Sequence, residues 1–279
     1  MANSGLAERK CLGSVLSVGD LVKDGNYLLH SAFPSAANFV SEDGAFVCLV
    51  CAEKGAGPFN IAIAGGLPAI TGTLRIKRPD IELDGFAADT ENFCVYDSSV
   101  LALKGKMLFV ESLEREYLDL APSLSLALAL DASRVAEFLP GFQRAFAARV
   151  SQACGLFYGE DFADCVRLLN GAGFGFTPSG DDFIAGALLA SHFFPSAASA
   201  REDIFAAASS SNPVSVAAFR AAYAGRACEP VKNLLLALAN GEDTAPFIRT
   251  VLGIGSTSGA DFLAGFIFAF KSFKGDGRC

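Results

Sequence analysis

The sequence predicts an α+β protein, in which a mostly antiparallel β barrel or sandwich is followed by an all-helical domain. Two observations lead to this prediction. Short apolar runs separated by turn residues fill the first part of the chain. From Ser123 onward, apolar residues instead recur at helical spacing. We therefore divide the 279 residues into a β-rich domain, 1–122, and a helical domain, 123–279.

The β-rich domain contains short apolar runs that end at Gly, Asp, Asn or Pro. Turn signals such as Gly19-Asp20 and Asp43-Gly44 recur with no helical segment between them. This pattern is typical of an antiparallel barrel or sandwich. Strands are expected at 11–18, 26–32, 45–50, 70–76, 92–96 and 106–110.

The helical domain has recognisable helix ends. Asn212-Pro213 has the pattern of an N-cap followed by a first-turn proline. Asn170-Gly171 is typical of a left-handed helix stop, and Pro140-Gly141 predicts a break. Helices are expected at 131–150, 161–169, 180–194, 213–223, 231–239, 244–252 and 259–273.

Composition disfavours several functional classes. The chain is 52% hydrophobic and 19% charged, so it can bury a large core. Its net charge of −8 disfavours nucleic-acid binding, and no apolar run has the length of a membrane span. The first ten residues contain no signal-peptide core, and the eight cysteines are widely spaced. We expect a cytoplasmic protein that binds neither nucleic acid nor membrane.

The sequence gives little support for the common catalytic and metal-binding motifs. The chain has only two histidines and no G-x-S-x-G elbow, which disfavours a hydrolytic triad and a histidine zinc site. Cys48 and Cys51 form a C-x-x-C, but they fall on an expected strand where residues three apart face opposite sides. No metal ligands are therefore assigned.

Two similar glycine-rich stretches stand out in the helical domain. The first repeat, 173–186, reads GFGFTPSGDDFIAG, and the second repeat, 253–265, reads GIGSTSGADFLAG. Each one opens into an apolar helix, whose positive end favours anions. Gly186 and Gly265 would allow the two helices to cross closely and bring both loops together. The predicted ligand-binding residues are Gly173, Gly175, Thr177, Ser179, Gly180, Asp181, Asp182, Asn212, Ser215, Ser256, Thr257, Ser258, Gly259 and Asp261.

A purely structural interpretation of the repeats stays open. Carboxylates in a first helical turn stabilise the helix by themselves, so Asp182 and Asp261 need no ligand. Two carboxylates beside a bound phosphate would repel it unless Mg²⁺ or an arginine intervenes. The cofactor is therefore unknown, with Mg²⁺ as one option. The polar segment 209–215 is either an ordinary helix start or a third wall of the same pocket.

The repeats resemble a bacterial family long described as a domain of unknown function and linked to the oxamate carbamoyltransferase of allantoin and purine breakdown. The resemblance rests on TPSGDDF at 177–183, GSTSGADFLAG at 255–265 and the intervening SSNPVSVAAFRAAYAG, with GPFNIAI at 57–63. It implies an enzyme subunit that works beside two others. The implied reaction transfers a carbamoyl group between phosphate and the amide nitrogen of a small acid such as oxamate, with one anion at each loop.

Three functions remain open at this point. The first is a carbamoyltransferase subunit that binds a small anionic metabolite and has protein partners. The second is a non-catalytic subunit that binds a metabolite or acts as a scaffold, because no general base or nucleophile is evident. The third is an Mg²⁺-dependent phosphate-handling enzyme, which the missing P-loop lysine disfavours.

Overall fold

The chain forms two compact units, Met1–Ser98 and Ser99–Cys279. The structure, a computed structural model, describes residues 11–68, 70–106 and 108–275. The division lies earlier than the boundary expected near residue 122, because the helix Val110–Leu120 packs within the second unit. Its Tyr117 hydroxyl donates to the Ala260 carbonyl at 2.9 Å. We refer to the two parts as the barrel unit and the helical unit.

The described part of the barrel unit contains nine strands. They are Cys11–Gly19 (β1), Gly25–Phe33 (β2), Ala36–Val40 (β3), Phe46–Cys51 (β4), Asn60–Ile63 (β5), Thr73–Lys77 (β6), Asp80–Leu83 (β7), Phe86–Asp89 (β8) and Cys94–Tyr96 (β9). The order is β5-β4-β3-β2-β6-β7-β8-β1, and pairing of β1 with β5 closes an eight-stranded barrel. Strand β9 pairs with β1. Most pairs are antiparallel, and β4–β5, β1–β8 and β1–β9 are parallel.

Alternation of side chains explains the interior of the barrel. In β6, Leu74 and Ile76 are buried, whereas Thr73, Arg75 and Lys77 are exposed. Successive residues of a strand point to opposite faces, so this pattern fills one side of the sheet with apolar groups. The predicted α+β class is therefore confirmed, and its first part is a barrel.

The described part of the helical unit contains nine α-helices. They are Val110–Leu120 (α1), Phe142–Tyr158 (α2), Phe162–Leu169 (α3), Ser179–Ala190 (α4), Ala198–Ala207 (α5), Pro213–Tyr223 (α6), Glu229–Asn240 (α7), Ala245–Leu252 (α8) and Ser258–Lys274 (α9). Short 3-10 turns occupy Leu126–Ala129 and Ala132–Glu137. The break expected at Pro140-Gly141 is confirmed, since α2 begins at Phe142.

One strand prediction is wrong. A strand is expected at 106–110, but no strand occurs at 106 or 108–110, and Val110 begins α1. Leu108 and Val110 are buried in the helical core instead. A short apolar run does not by itself distinguish a buried strand from the start of a buried helix.

The helices α4 and α9 form the centre of the helical unit. Nearly every residue of α4 is buried, and α9 is buried over most of its length. A helix that is apolar on all sides is stable only when other elements surround it. The ring of Phe268 contacts the rings of Phe183 and Phe157, at centroid distances of 5.6 and 5.4 Å. This central pair positions both repeats.

Candidate functional site

The two repeats meet directly. Thr177, in the loop before α4, and Ser258, the first residue of α9, have their hydroxyl oxygens 2.8 Å apart. The loops are therefore within hydrogen-bond distance of each other, as a single site built from both would require. All of these residues belong to the helical unit.

Reciprocal glycines set the crossing of α4 and α9. A Cβ atom added at Gly186 would lie 2.0 Å from the carbonyl oxygen of Phe262. A Cβ atom added at Gly265 would lie 2.0 Å from the carbonyl oxygen of Phe183. Real Cβ contacts essentially never fall below 3.0 Å, so only glycine fits at either position. The close crossing brings the two helix starts together.

The backbone N–H groups at the start of α4 are used within the first repeat. The Gly180 N–H donates to the Ala172 carbonyl at 2.8 Å. The N–H groups of Asp181 and Asp182 both donate to the Pro178 carbonyl, at 2.9 and 3.2 Å. These amides are therefore engaged in the folded chain.

The second repeat uses its amides in the same way. The Gly259 N–H donates to the Ile254 carbonyl at 3.0 Å, and the Asp261 N–H donates to the Thr257 carbonyl at 2.8 Å. Gly259 also packs tightly, since an added Cβ would lie 1.9 Å from the Val251 carbonyl oxygen. The side-chain hydroxyls and carboxyls are thus the groups that give this junction its chemistry.

Asp181 connects the first repeat to neighbouring loops. Its Oδ1 accepts a hydrogen bond from the Gly171 N–H at 2.8 Å, and its Oδ2 accepts one from the Ser210 hydroxyl at 2.9 Å. The residue is buried. With both carboxylate oxygens occupied by loop donors, Asp181 acts as a structural connection.

Asp182 points to the junction of the repeats. Its Oδ2 accepts a hydrogen bond from the Thr177 hydroxyl at 3.2 Å, and Ser258 also hydrogen-bonds this carboxyl. Part of its surface remains accessible, although protein atoms surround most of the carboxyl group. Burial is the main cause that raises the pKa of Asp182 to about 8, and the nearby charge of Asp261 raises it further. Both causes favour the protonated form of the Asp182 carboxyl.

Asp261, the counterpart of Asp182 in the second repeat, has no accessible surface. Its Oδ1 accepts a hydrogen bond from the Leu126 N–H at 2.6 Å. Its Oδ2 makes no geometrically acceptable hydrogen bond among the described residues, although the hydroxyls of Ser179 and Thr257 are close enough to stabilise the charge. Burial raises its pKa to about 6, while those hydroxyls and the Leu126 N–H oppose the rise.

Each repeat supplies a hydroxyl group to the carboxyl of the other repeat. Ser258 of the second repeat interacts with Asp182 of the first, and Ser179 of the first interacts with Asp261 of the second. Thr177 and Thr257 each support the carboxyl of their own repeat. The junction thus places two carboxyls, one fully buried and one partly accessible, among four hydroxyl groups.

A pocket of about 670 Å³ lies beside the first repeat. The Asn212 side chain donates to the Phe176 carbonyl at 2.6 Å and accepts from the Val214 N–H at 2.9 Å, which caps α6. This capped turn holds the polar segment 209–212 against the first loop. The lining residues are Asn170, Gly171, Phe176, Pro178, Ser209, Ser210, Ser211 and Asn212. Among the predicted site residues, only Asn212 lines it.

The remaining predicted site residues are more scattered. Ser215 is buried on α6, and its hydroxyl has no hydrogen-bond partner among the described residues. Ser256 is exposed on the second loop. Gly175 is exposed on the first loop, and Gly173 adopts a φ of +135° there, with an added Cβ only 2.4 Å from the Ser179 nitrogen. These glycines shape the loop.

Two contributors to the site are not predicted by the sequence. The Leu126 N–H, from a 3-10 turn far away in the chain, holds Asp261, and nothing in the sequence signals that contact. The sequence places Ser210 only in a polar run, whereas its hydroxyl supports Asp181. The sequence feature that could have indicated this contact is the run of three serines before the Asn-Pro helix start.

Metal and membrane features are absent from the residues that the structure describes. No group of three or more His, Cys, Asp or Glu residues is arranged there to hold a metal ion. Burial raises the pKa of Cys48 to about 12, which keeps that thiol protonated. Across the same residues, no helix combines the length and apolar character needed to cross a bilayer.

Comparison with known proteins gives one match. A family model described as "Oxamate carbamoyltransferase subunit AllH" matches residues 169–270, which include both repeats and the segment between them. The resemblance inferred from the TPSGDDF motif is therefore confirmed over this part of the chain. The comparisons with curated proteins and with solved structures returned no match.

Proposed function

We propose that this chain is a subunit of a carbamoyltransferase-type enzyme and that the junction of its two repeats binds a small anionic substrate. The family description names oxamate, and the resemblance of the repeats adds carbamoyl phosphate as the carbamoyl donor. The observation that carries the proposal is the direct contact of the two loops, Thr177 to Ser258 at 2.8 Å, within the matched region.

The chemistry of the junction supports a small polar guest. Hydroxyl groups converge there, and donors of this kind stabilise oxyanions in many acyl-transfer sites. Because the N–H groups of Gly180 and Gly259 already bind loop carbonyls, the guest would rely mainly on side chains and on the serine-rich wall of the neighbouring pocket. The raised pKa of Asp182 lowers the negative charge that an anion would meet at the junction.

An apolar surface beside the first loop supports protein partners. Leu139 and Phe142 are 66% and 76% exposed, and Phe174 and Phe176 are about half exposed. The Phe174 ring packs against Phe142, with centroids 5.4 Å apart, so these two exposed rings form one patch. Large exposed apolar patches often mark interaction sites. The word subunit in the family description agrees with that use.

A scaffolding or metabolite-binding subunit is the second candidate. The engagement of the first-turn amides with loop carbonyls favours it, because the repeats then form a complete structural unit without a ligand. An Mg²⁺-dependent phosphate-handling enzyme would have to use Asp182 and Asp261 as its two carboxylates.

The cytoplasmic location stays a prediction from the sequence.

The test is an assay of the chain alone and with the partner subunits that co-purify with it. We expect release of phosphate from carbamoyl phosphate that depends on oxamate and on the complete complex. Thr177→Val should weaken binding of oxamate or phosphate in calorimetry, whereas Thr250→Val, at an exposed helical threonine, should not. An active complex that is unaffected by Thr177→Val would favour the scaffold. A complex without carbamoyl transfer would refute the enzyme proposal.

A further inference from the structure

The carboxyl pair at the junction is asymmetric in a way that the similar sequences of the repeats do not suggest. Asp182 is partly accessible, whereas Asp261 has no accessible surface and one oxygen without a geometrically acceptable hydrogen bond among the described residues. Two neighbouring carboxylates repel each other, so the charge of Asp261 favours a neutral Asp182. Asp182 is the neighbouring carboxyl that can become neutral.

We propose that Asp182 is the proton-transfer residue of this site and that Asp261 is the positioning residue that keeps Asp182 protonated. The inference rests on the proposed function. It supplies the acid–base group that was not evident from the sequence. The hydroxyls of Thr177 and Ser258 hold the Asp182 carboxyl at the point where the two loops meet.

When a carbamoyl group moves from phosphate to an amide nitrogen, Asp182 gives up one proton and regains one. The amide nitrogen forms a bond to the carbamoyl carbon, and the bond from that carbon to the phosphate oxygen breaks. Protonated Asp182 donates its proton to the departing phosphate oxygen. The resulting carboxylate takes the proton that the amide nitrogen loses, which returns Asp182 to its starting state.

The charged groups around the pair are consistent with this assignment. Asp181 lies beside Asp182 in α4, and its charge also raises the Asp182 pKa. Tyr117, from α1, faces Asp261, and burial together with that carboxyl raises the pKa of the phenol and keeps it protonated. Arg134 is a cation that acts on Tyr117, but it is bound to Glu137 at 2.8 Å. The negative charges of Asp261 and Asp181 therefore favour a protonated Asp182.

Titration of the carboxyls tests the assignment without a measurement of enzymatic activity. Difference infrared spectra of the chain between pH 5 and 9 should show a carboxyl that loses its proton near pH 8. The signal should be absent in Asp182→Asn and should move to lower pH in Asp261→Asn. Asp203→Asn, on the exposed face of α5, is the matched control and should leave it unchanged. A wild-type spectrum without such a carboxyl overturns the proposal and needs no variant to fold.

Kinetics of the assembled complex separate this proposal from the proposed function. Asp182→Asn should lower kcat by at least about 100-fold, as for loss of a general acid–base group, with KM changed much less. Asp261→Asn should shift the pH profile of kcat to lower pH. An active wild-type complex with an active Asp182→Asn variant refutes the proton-transfer role alone. A wild-type complex without transfer activity refutes the proposed function, while the spectra still decide whether Asp182 is protonated.

A cation between the carboxyls is the competing explanation. Both carboxylates would then be ionised, and Mg²⁺ added to the chain should abolish the infrared signal of the protonated carboxyl at pH 6.5. Retention of the signal at millimolar Mg²⁺ supports a protonated Asp182 rather than a cation bound between the carboxylates. Its loss, accompanied by Mg²⁺ binding in calorimetry that Asp182→Asn removes, overturns the proposal.

Discussion

The first and second repeats have similar sequences but different surroundings. The first repeat lies beside a pocket of about 670 Å³, and its Asp182 keeps some accessible surface. In the second repeat, Asp261 is fully buried and is held by the Leu126 N–H from a 3-10 turn. The carboxyl of one repeat therefore keeps some accessible surface, while that of the other is covered by the rest of the helical unit.

This difference shows how a duplicated element can divide its tasks. Both repeats contribute to the crossing through a glycine, so neither can change there without affecting the other. Their carboxyls have no such symmetry, because each pKa depends on local burial and hydrogen bonds. Variants at equivalent positions of the two repeats can therefore distinguish a role that both repeats have, such as the helix crossing, from a role that only one of them has.

The largest effect is expected from substitution at the crossing, which should affect both repeats alike. Gly186→Ala and Gly265→Ala each place a Cβ 2.0 Å from a carbonyl oxygen of the partner helix. We expect each change to lower the free energy of unfolding by about 3 kcal/mol, measured by chemical denaturation. Gly155→Ala in α2 is the control, since its Cβ meets no atom within 4 Å. Equal stability of all three variants would contradict a close crossing.

A smaller effect is expected on the pH dependence of stability. The folded-state pKa of Asp182, about 8, lies above the ordinary aspartate value of 3.8, so the folded state binds more protons between these pH values. The free energy of unfolding should therefore fall as pH rises from 5 to 8, by about 2 kcal/mol after allowance for partial exposure.

Asp182→Asn should remove most of this fall, which denaturation at several pH values would measure. His192 acts in the opposite direction below the ordinary histidine pKa of 6.5, because burial lowers its pKa. That contribution is common to wild type and variant and cancels in the comparison. A wild-type curve that rises as steeply as that of Asp182→Asn would contradict the raised pKa.

The threonine pair should give a still smaller difference. Thr177 contacts both Asp182 and Ser258, so Thr177→Val should lower the free energy of unfolding by about 1.5 kcal/mol. Thr257→Val should have about half that effect, because the main support of Asp261 is the Leu126 N–H. Denaturation of both variants, with Thr250→Val as the exposed control, tests the order. The reverse order would mean that the second repeat depends more on its hydroxyl.

The smallest effect is expected at the wall of the pocket. Ser210→Ala removes the hydroxyl bound to Asp181 and should lower the free energy of unfolding by about 0.5 kcal/mol. Because the bond connects a loop to α4, hydrogen exchange of segment 209–212 should become faster while the barrel unit stays unchanged. Ser199→Ala, at an exposed position in α5, is the control. Unchanged exchange in segment 209–212 would show that Asn212 holds the wall alone.

Much of the fold could be predicted from local signals. The helix Pro213–Tyr223 follows from its Asn-Pro start, and β1, β2 and β4 fall close to the expected ranges. The helix α5, Ala198–Ala207, was not expected, because it has a weak apolar pattern. The strand β3, Ala36–Val40, was missed because Pro34 and Ser35 obscure its start.

The site could be predicted only in part. The similarity of the repeats indicated that Thr177, Ser258, Asp182 and Asp261 belong together, and the helical unit does bring them together. The sequence also suggested free amides at Gly180 and Gly259, but loop carbonyls bind both of them in the fold. Hydrogen bonds inside a loop depend on its path through space, which residue types alone do not specify.

Local sequence signals are enough to predict a β-rich part followed by helices, the two repeats and the glycines that let their helices cross. These features are local, since turn residues, apolar spacing and the absence of a side chain act within a few residues. Only the tertiary structure decided which aspartate is sealed and which stays accessible. That outcome depends on desolvation and on a partner as distant as Leu126, and both exist only once the helices have packed.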